Sequence, residues 1–215
     1  MHAAPRPTVV ELYTSEGCSS CPPAAALLGE LAGKPSVLAL AFHVNYWDGL
    51  GWADKFALPY AVQRQRRYAQ ALELPSIFTP HIVIDGKTSF IGSDRNGIIT
   101  AIRSAREGVP IAISWQGHDL AIELRQTRVQ KPTDVMLVAY QPRAVTAIGR
   151  GENAGRTMRD FNIVRATYAL GRWGAHAQTF TLPGSSLPKD ATTVAVLIQE
   201  PDQRAILSAA TYPSR

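Results

Sequence analysis

The sequence predicts an α+β protein in two parts, an N-terminal α/β domain over residues 1–108 and an antiparallel β-sandwich-like domain over residues 109–215. Three observations predict it. Strand-like and helix-like runs alternate through the first half. After Gly108-Val109-Pro110 the helical periodicity stops, and short strand-like runs separated by turn residues follow one another. A chain of 215 residues is long enough for two domains of ordinary size.

In chain order, Thr8 to Tyr13 reads as a buried strand. Pro22 to Leu31 reads as a helix ending near Gly33, its two prolines suited to a first turn where their missing N–H groups have no partner to lose. Val37 to Val44 is a second strand. Asn45 to Leu58, rich in glycine and tryptophan, reads as an irregular connection. Pro59 to Leu72 is a helix with proline in its first turn and Tyr60, Val62, Tyr68 and Leu72 among polar residues. Its run Gln63-Arg64-Gln65-Arg66-Arg67 reads as a solvated face. His81 to Ile84 is a third strand, Asp85-Gly86 a hairpin turn, and Thr88 to Ile91 the return strand. Residues 96–106 read as an amphipathic helix with Ile98, Ile99 and Ile102 on one side. In the second half, Ile111–Trp115 and Asp119–Leu124 form a hairpin. Val135–Tyr140, Ala144–Ile148, Asn162–Tyr168, Gln178–Leu182, Thr193–Ile198 and Ala205–Ala209 are further strands, spaced as in a sandwich or barrel.

Chemistry concentrates at Glu16-Gly17-Cys18-Ser19-Ser20-Cys21-Pro22-Pro23, which holds the only two cysteines of the chain. Two thiols three positions apart at a strand-to-helix junction close a small disulfide loop and sit in the field of a helix N-terminus, which favours thiolate. Cys18 is expected to be the more exposed thiol and to attack, Cys21 to resolve the mixed disulfide. Pro22 disfavours a helical conformation at Cys21, so the helix is expected to begin at Pro22, with the cysteines in the turn before it. A strand–helix–strand–helix–strand–strand–helix order with CxxC after the first strand matches the thioredoxin fold. In such proteins a cis-proline lies against the dithiol, and Thr79-Pro80 stands at that place, so Thr79, Pro80, His81 and the nearby Trp47 are candidate substrate-binding residues. Trp52 is a second candidate for the groove. A structural staple is one alternative. A copper or zinc site is another, built from Cys18, Cys21, His43 and His81 if all four converge. The second-half segment Gly149-Arg150-Gly151-Glu152-Asn153-Ala154-Gly155-Arg156 reads as a structural turn, with a ligand or interdomain contact as the alternative.

Composition narrows the classes of partner. Hydrophobic residues make up 46% of the chain, ample for a core. The longest apolar run, Val37 to Phe42, is far too short to span a bilayer, so no transmembrane segment and a soluble protein are expected. Net charge is +5, spread along the chain with no aromatic-interleaved basic block, which argues against nucleic acid. The expected partner is a protein or small-molecule thiol or disulfide, with no cofactor. Small residues followed by prolines at the N-terminus resemble the remnant of a cleaved secretory leader, which suggests a periplasmic or secreted protein. The cysteine count fits a cytosolic redox protein equally well.

The motifs resemble those of one family. Glu11-Leu12-Tyr13-Thr14-Ser15-Glu16-Gly17-Cys18-Ser19-Ser20-Cys21-Pro22-Pro23-Ala24 resembles its N-terminal signature. His43-Val44-Asn45-Tyr46-Trp47-Asp48 with Leu50-Gly51-Trp52, Gln63-Arg64-Gln65-Arg66, Tyr68-Ala69, Thr79-Pro80, Gly86 and Gly92-Ser93-Asp94 resemble its middle motifs. Arg150-Gly151-Glu152-Asn153-Ala154-Gly155-Arg156 with Asn162-Ile163-Val164 is similar to its last one. The family is the bacterial domain of unknown function 1223, described as thioredoxin-like and commonly secreted. The resemblance covers almost the whole chain and implies the fold without supplying a reaction. Two positions depart from it: His81 stands where glutamine is expected after Thr-Pro, and Asn45 where aspartate is more usual.

Overall fold

The computed structural model describes residues 4–102, 106–127, 131–174 and 176–214. The first half contains β1 (Ala4–Arg6), β2 (Thr8–Thr14), α1 (Pro22–Ala32), β3 (Val37–His43), α2 (Pro59–Ala71), β4 (His81–Ile84), β5 (Thr88–Ile91), α3 (Arg95–Ile102) and β6 (Arg106–Gly108). The second contains β7 (Ile111–Gln116), β8 (Asp119–Leu124), β9 (Thr133–Ala147), β10 (Thr157–Trp173), β11 (Gln178–Pro183), β12 (Thr193–Gln199) and β13 (Ile206–Pro213).

β2 and β3 are parallel, in register from Thr8 opposite Val37 to Thr14 opposite His43. β4 runs antiparallel on the other side of β2, and β5 antiparallel to β4. All seven residues of β2 and of β3 are buried, because both faces of the sheet are covered; that is why both strands read as continuous runs without alternation. On one face, Ala24, Leu27, Leu28 and Leu31 of α1 and Ile98 of α3 pack on Val10, Leu12, Ala39, Ala41, Ile82 and Ile84. On the other, Ala61, Val62 and Tyr68 of α2 pack on Val9, Tyr13, Leu38, Leu40, Phe42 and Val83.

The second half does not fold as a self-contained sandwich. β9, β10, β12 and β13 continue the first-half sheet, giving one eight-stranded sheet in the order β13-β12-β9-β10-β3-β2-β4-β5 that runs straight through the boundary at residue 109. The junction is narrow: Ile163 of β10 pairs with Ala41 of β3, and Asn162, in the left-handed region at φ 47°, donates its Nδ2 to the Ala39 carbonyl at 2.9 Å. β10 thereby covers an edge of β3 that would otherwise present unpaired backbone groups. A sandwich-like layer does exist, since Leu120, Ile122, Leu124, Phe180 and Leu182 of the separate β11-β8-β7 sheet pack on Val135, Leu137, Val194, Val196 and Ile198. One of the two layers is simply the shared sheet. The halves are also joined at the Asp85-Gly86 turn. There Asp85 Oδ1 accepts from Val9 N and Arg6 Nη1, and the Asp85 carbonyl accepts from Ile206 N. Gly86 has φ 66°, and a Cβ there would meet the Arg204 carbonyl oxygen at 2.2 Å, so only glycine fits.

Several expected boundaries shift. Val135–Tyr140 and Ala144–Ile148 are one strand, β9, which tolerates Pro142 because the ladder to β10 is interrupted between Gln141 and Arg143. The helix expected over 96–106 is α3, Arg95–Ile102; residues 103–105 lie outside the described residues, and Arg106 begins β6. The supposed solvated face of α2 is split. Gln63, Arg66 and Arg67 are exposed, whereas Arg64 and Gln65 are buried. Arg64 Nε donates to Glu11 Oε1 at 2.7 Å, and its Nη2 to Tyr68 Oη and Gln199 Oε1. Among the described residues no helix is long and apolar enough to cross a membrane.

Candidate functional site

The two cysteines form a disulfide in the turn between β2 and α1. The turn is closed by Cys18 N to the Ser15 carbonyl and Cys21 N to the Cys18 carbonyl, each at 3.2 Å. Cys21 caps α1, at φ −79° and ψ −30°, with its carbonyl accepting from Ala24 N and Ala25 N. Pro22 therefore begins the helix without forcing Cys21 out of the helical region. It has a cost for anion binding: Pro22 and Pro23 bring no N–H to the helix mouth, and the next two N–H groups are spent on Cys21.

Both sulfur-bearing residues are fully buried, at 0% exposure, while Ser19 and Ser20 between them are exposed. The expectation that Cys18 is the more exposed of the two thiols is thereby corrected, since they are equally buried. The second half reaches this turn through the Gly149–Arg156 segment between β9 and β10, which is not a free-standing turn. Asn153, itself fully buried, donates its Nδ2 to the carbonyls of Glu16 at 2.9 Å and Cys18 at 3.0 Å. Glu152 Oε2 accepts from Ser19 N at 3.2 Å, and Arg156 Nη1 donates to Asn153 Oδ1. Gly151 and Gly155 turn the loop at φ 75° and 77°, with Gly151 against Trp52.

An aromatic and proline wall completes the surroundings. The Thr79–Pro80 bond is cis. Trp47 Nε1 donates to Thr79 Oγ1 at 2.8 Å, and Gln65 Nε2 braces the Phe78 carbonyl at 2.6 Å. A Cβ on Gly17 would sit 3.2 Å from Trp47 Cβ, and one on Gly92 would sit 2.7 Å from both Pro80 Cβ and Ala24 Cβ. These contacts place Trp47, Thr79 and Pro80 around the disulfide turn and the first turn of α1.

Behind the turn lies a buried acidic cluster centred on one imidazole. His43 Nδ1 is 2.7 Å from Asp54 Oδ2, and its Nε2 is 3.8 Å from Asp160 Oδ1. Asp54 Oδ2 also accepts from Glu16 N, and Glu16 Oε2 accepts from Trp52 Nε1 at 2.9 Å. Burial pushes the His43 pKa down, but the charges of Asp54, Asp160 and Glu16 outweigh it and the net shift is upward. Burial pushes Asp160 up to about 6, only partly opposed by His43. Burial also works against the Asp54 anion, yet His43 and two backbone N–H groups hold its pKa below the ordinary range.

The four proposed metal ligands do not assemble. His43 is engaged by Asp54. His81 is fully buried between the rings of Tyr13 and Phe78, with Nε2 3.0 Å from Ser89 Oγ, and burial lowers its pKa to about 4. It is a core residue and not part of a groove wall. Among the described residues no group of three or more His, Cys, Asp or Glu is arranged to hold a metal. Of the candidates named from sequence, Cys18, Cys21, Trp47, Thr79 and Pro80 come together at this turn, while Glu16, Asp54, Asp160 and Gln65, which brace its surroundings, were given no role. The signal for Asn153 and Glu152 was their place in a motif with three glycines, a pattern that demands a fixed backbone path.

Comparison with known proteins places these motifs. A family model described as a protein of unknown function, DUF1223, matches residues 9–199. The solved structure of protein AGR_C_4864 from Agrobacterium tumefaciens is similar, with a TM-score of 0.83 and 27% identity over 97% of this chain and 94% of that one. HBP35 of Porphyromonas gingivalis has a TM-score of 0.65 and 14% identity over 99% of this chain and 76% of that one, a likeness of fold alone. No curated protein sequence matches significantly.

Proposed function

The chain belongs to the DUF1223 family of proteins of unknown function, and we propose that it carries out thiol–disulfide exchange through Cys18 and Cys21. One observation carries the reading: the Cys18–Cys21 disulfide stands at the mouth of α1 within a frame made by Trp47, Thr79 and a cis Pro80. The strand order β3-β2-β4-β5, with α1 and α3 on one face and α2 on the other, supports a thioredoxin-like N-terminal unit. Tyr46 and Leu50, 39% and 58% exposed, give the neighbourhood an apolar rim suited to an extended peptide. A disulfide in the resting protein suits an extracytoplasmic setting.

In the reducing direction the Cys18 thiolate attacks one sulfur of a substrate disulfide. That S–S bond breaks, and the departing substrate thiolate takes up a proton. Cys21, having lost its proton, then attacks Cys18 Sγ, closing the Cys18–Cys21 bond and releasing the second substrate thiol. The substrate gains two electrons and two protons, and the protein's dithiol loses them.

The surroundings favour this direction. A strong dithiol oxidant needs its attacking thiolate stabilised. Here the helix mouth lacks N–H groups at Pro22 and Pro23, and Glu152 occupies Ser19 N. A glutathione redox titration should therefore give a midpoint nearer about −270 mV than about −120 mV, with catalysis of insulin reduction. A pair inert to exchange across that range, with no insulin turnover, overturns the proposal. Complete burial of both cysteines favours a second reading, a disulfide that only staples the β2–α1 turn. Under it, the Cys18→Ser/Cys21→Ser protein loses stability while the wild type shows no exchange.

A further inference from the structure

The large sheet is wider than the helix lying on it. α2 meets β2 and β3 through Arg64 and Tyr68, but the same face continues across β9, β10 and β12. A cleft of about 1000 Å³ opens there, between one side of α2, the start of β9, the end of β10 and the segment after β12. None of the residues around the disulfide lines it.

Its innermost wall is rich in donors and poor in acceptors. Arg64 is 3% exposed, and its Nε and Nη2 are spent on Glu11, Tyr68 and Gln199. Among the described residues the hydrogen-bond partner of its Nη1 is the Met136 sulfur, at 3.9 Å. The Tyr60 hydroxyl donates to that same sulfur at 3.2 Å. A thioether is a weak acceptor, so a guanidinium nitrogen and a phenol converge on a point where an oxygen anion would serve both far better. Charge agrees. Four arginines line the cleft (Arg64, Arg67, Arg172, Arg204) against Asp134 and Asp202. Glu11 answers Arg64 from behind and Asp134 lies 3.4 Å from Arg172, which leaves Arg67 and Arg204 facing Asp202 alone.

The wall is also held in an unusual backbone. Asp202 and Gln203 are consecutive non-glycine residues at φ 58° and 56°, a costly arrangement that persists where surrounding contacts impose it. Gln203 Nε2 donates to the Arg64 carbonyl at 2.6 Å, and Gln199 Nε2 to the Arg204 carbonyl at 2.8 Å. This fixes the 199–204 segment against α2, with Arg204 on the cleft.

We propose that this cleft binds a small organic oxyanion, a carboxylate or phosphate on a compact apolar body, with the anionic oxygens at Arg64 Nη1 and Tyr60 Oη and the apolar part against Met136. Arg67 and Arg204 close over it from the rim. The site is independent of the redox reading and stands or falls without it.

The test is an NMR titration of the full chain with the methionine methyl groups and arginine Nε–H observed. The probes are inorganic phosphate, phenyl phosphate and benzoate. Phenyl phosphate or benzoate should shift the Met136 methyl and Arg64 Nε–H saturably, and more tightly than inorganic phosphate, which lacks the apolar body. Which of the two binds identifies a phosphate ester or a carboxylate as the source. The Arg67→Ala/Arg204→Ala protein should bind about tenfold or more weakly, and Tyr60→Phe should weaken binding while leaving the fold intact. Non-saturable shifts with all three probes, or affinities that neither variant changes, overturn the proposal.

Discussion

Asn153 ties the second half to the disulfide turn, and Asn153→Ala tests whether that tie controls access to the disulfide. Its carboxamide supplies two hydrogen bonds, to the carbonyls of Glu16 and Cys18, in a fully buried position. Both cysteines are fully buried, so a reductant needs a local opening, and on this reading the opening is movement of the 149–156 loop away from the turn. The reduction rate therefore follows the free energy of that local opening. Each lost bond lowers the opening cost by about 0.5–1.5 kcal/mol, so the pair lowers it by about 1–3 kcal/mol. With a factor of ten per about 1.4 kcal/mol, reduction should accelerate about 5- to 150-fold. The assay is a time course with dithiothreitol, quenched by iodoacetamide and read as alkylated mass, alongside urea unfolding to show that the fold persists. Asn153→Asp keeps the shape but offers the two carbonyls no donor, and it should be at least as fast. Glu152→Ala, which removes one bond from an exposed position, should change the rate less. A folded Asn153→Ala protein reduced within twofold of the wild-type rate refutes the idea that this loop guards the disulfide.

Three further predictions follow from the buried charges. His81 has its pKa lowered by burial from 6.5 to about 4, so its contribution to stability is present above pH 6.5 and is lost as pH falls toward 4. His81→Gln should flatten the urea midpoint across that window, recovering roughly 3 kcal/mol at its acidic end; an unchanged pH profile contradicts this. Asp160, raised by burial from 3.8 to about 6, works in the opposite sense: its contribution is present below pH 3.8 and lost as pH climbs through 6. Asp160→Asn should thus be more stable than wild type at pH 7, by up to roughly 3 kcal/mol, and should lower the His43 pKa followed by imidazole NMR. A variant less stable than wild type at pH 7 would show that the carboxylate is needed more than its burial costs. Glu11→Ala leaves the Arg64 guanidinium buried without its carboxylate and should cost about 3–5 kcal/mol in urea unfolding; a loss under 1 kcal/mol rejects the pair as a structural anchor.

Of the first-half elements, β2, α1, β3, α2, β4 and β5 were legible because each is fixed by local chemistry, whereas the short pair β1 and β6 was not. β2 and β3 are buried on both faces and so carry unbroken apolar runs, α1 and α2 each begin at a proline, and Asp85-Gly86 supplies the positive φ values its hairpin needs. The second half was legible only strand by strand. Nothing in the Asn162–Tyr168 run distinguishes a strand that closes a separate sandwich from one that pairs with Ala41, more than a hundred residues earlier in the chain. Register between distant strands is set by which edge is left open, and that depends on the whole sheet.

The same asymmetry governs the site. Cys18 and Cys21 stand out because a turn leading into a helix brings thiols three positions apart into bonding range, here with Cα atoms 5.4 Å apart, and Thr79-Pro80 stands out because X-Pro is the bond for which cis is inexpensive. Exposure is a different kind of property. Both cysteines are fully buried although Ser19 and Ser20 between them are exposed. The turn that holds them is tied down from far along the chain, by Asn153 arriving from between β9 and β10 to take two of its carbonyls. Arg64 teaches the same lesson, for it sits in a polar run of α2 yet is drawn inward by Glu11 on β2 and Gln199 at the end of β12. In both cases a residue of the second half hydrogen-bonds a polar group of the first, at Arg64 alongside Glu11 from the first half itself. Removing that partner, as Asn153→Ala does, should alter the chemistry of the disulfide without touching either cysteine.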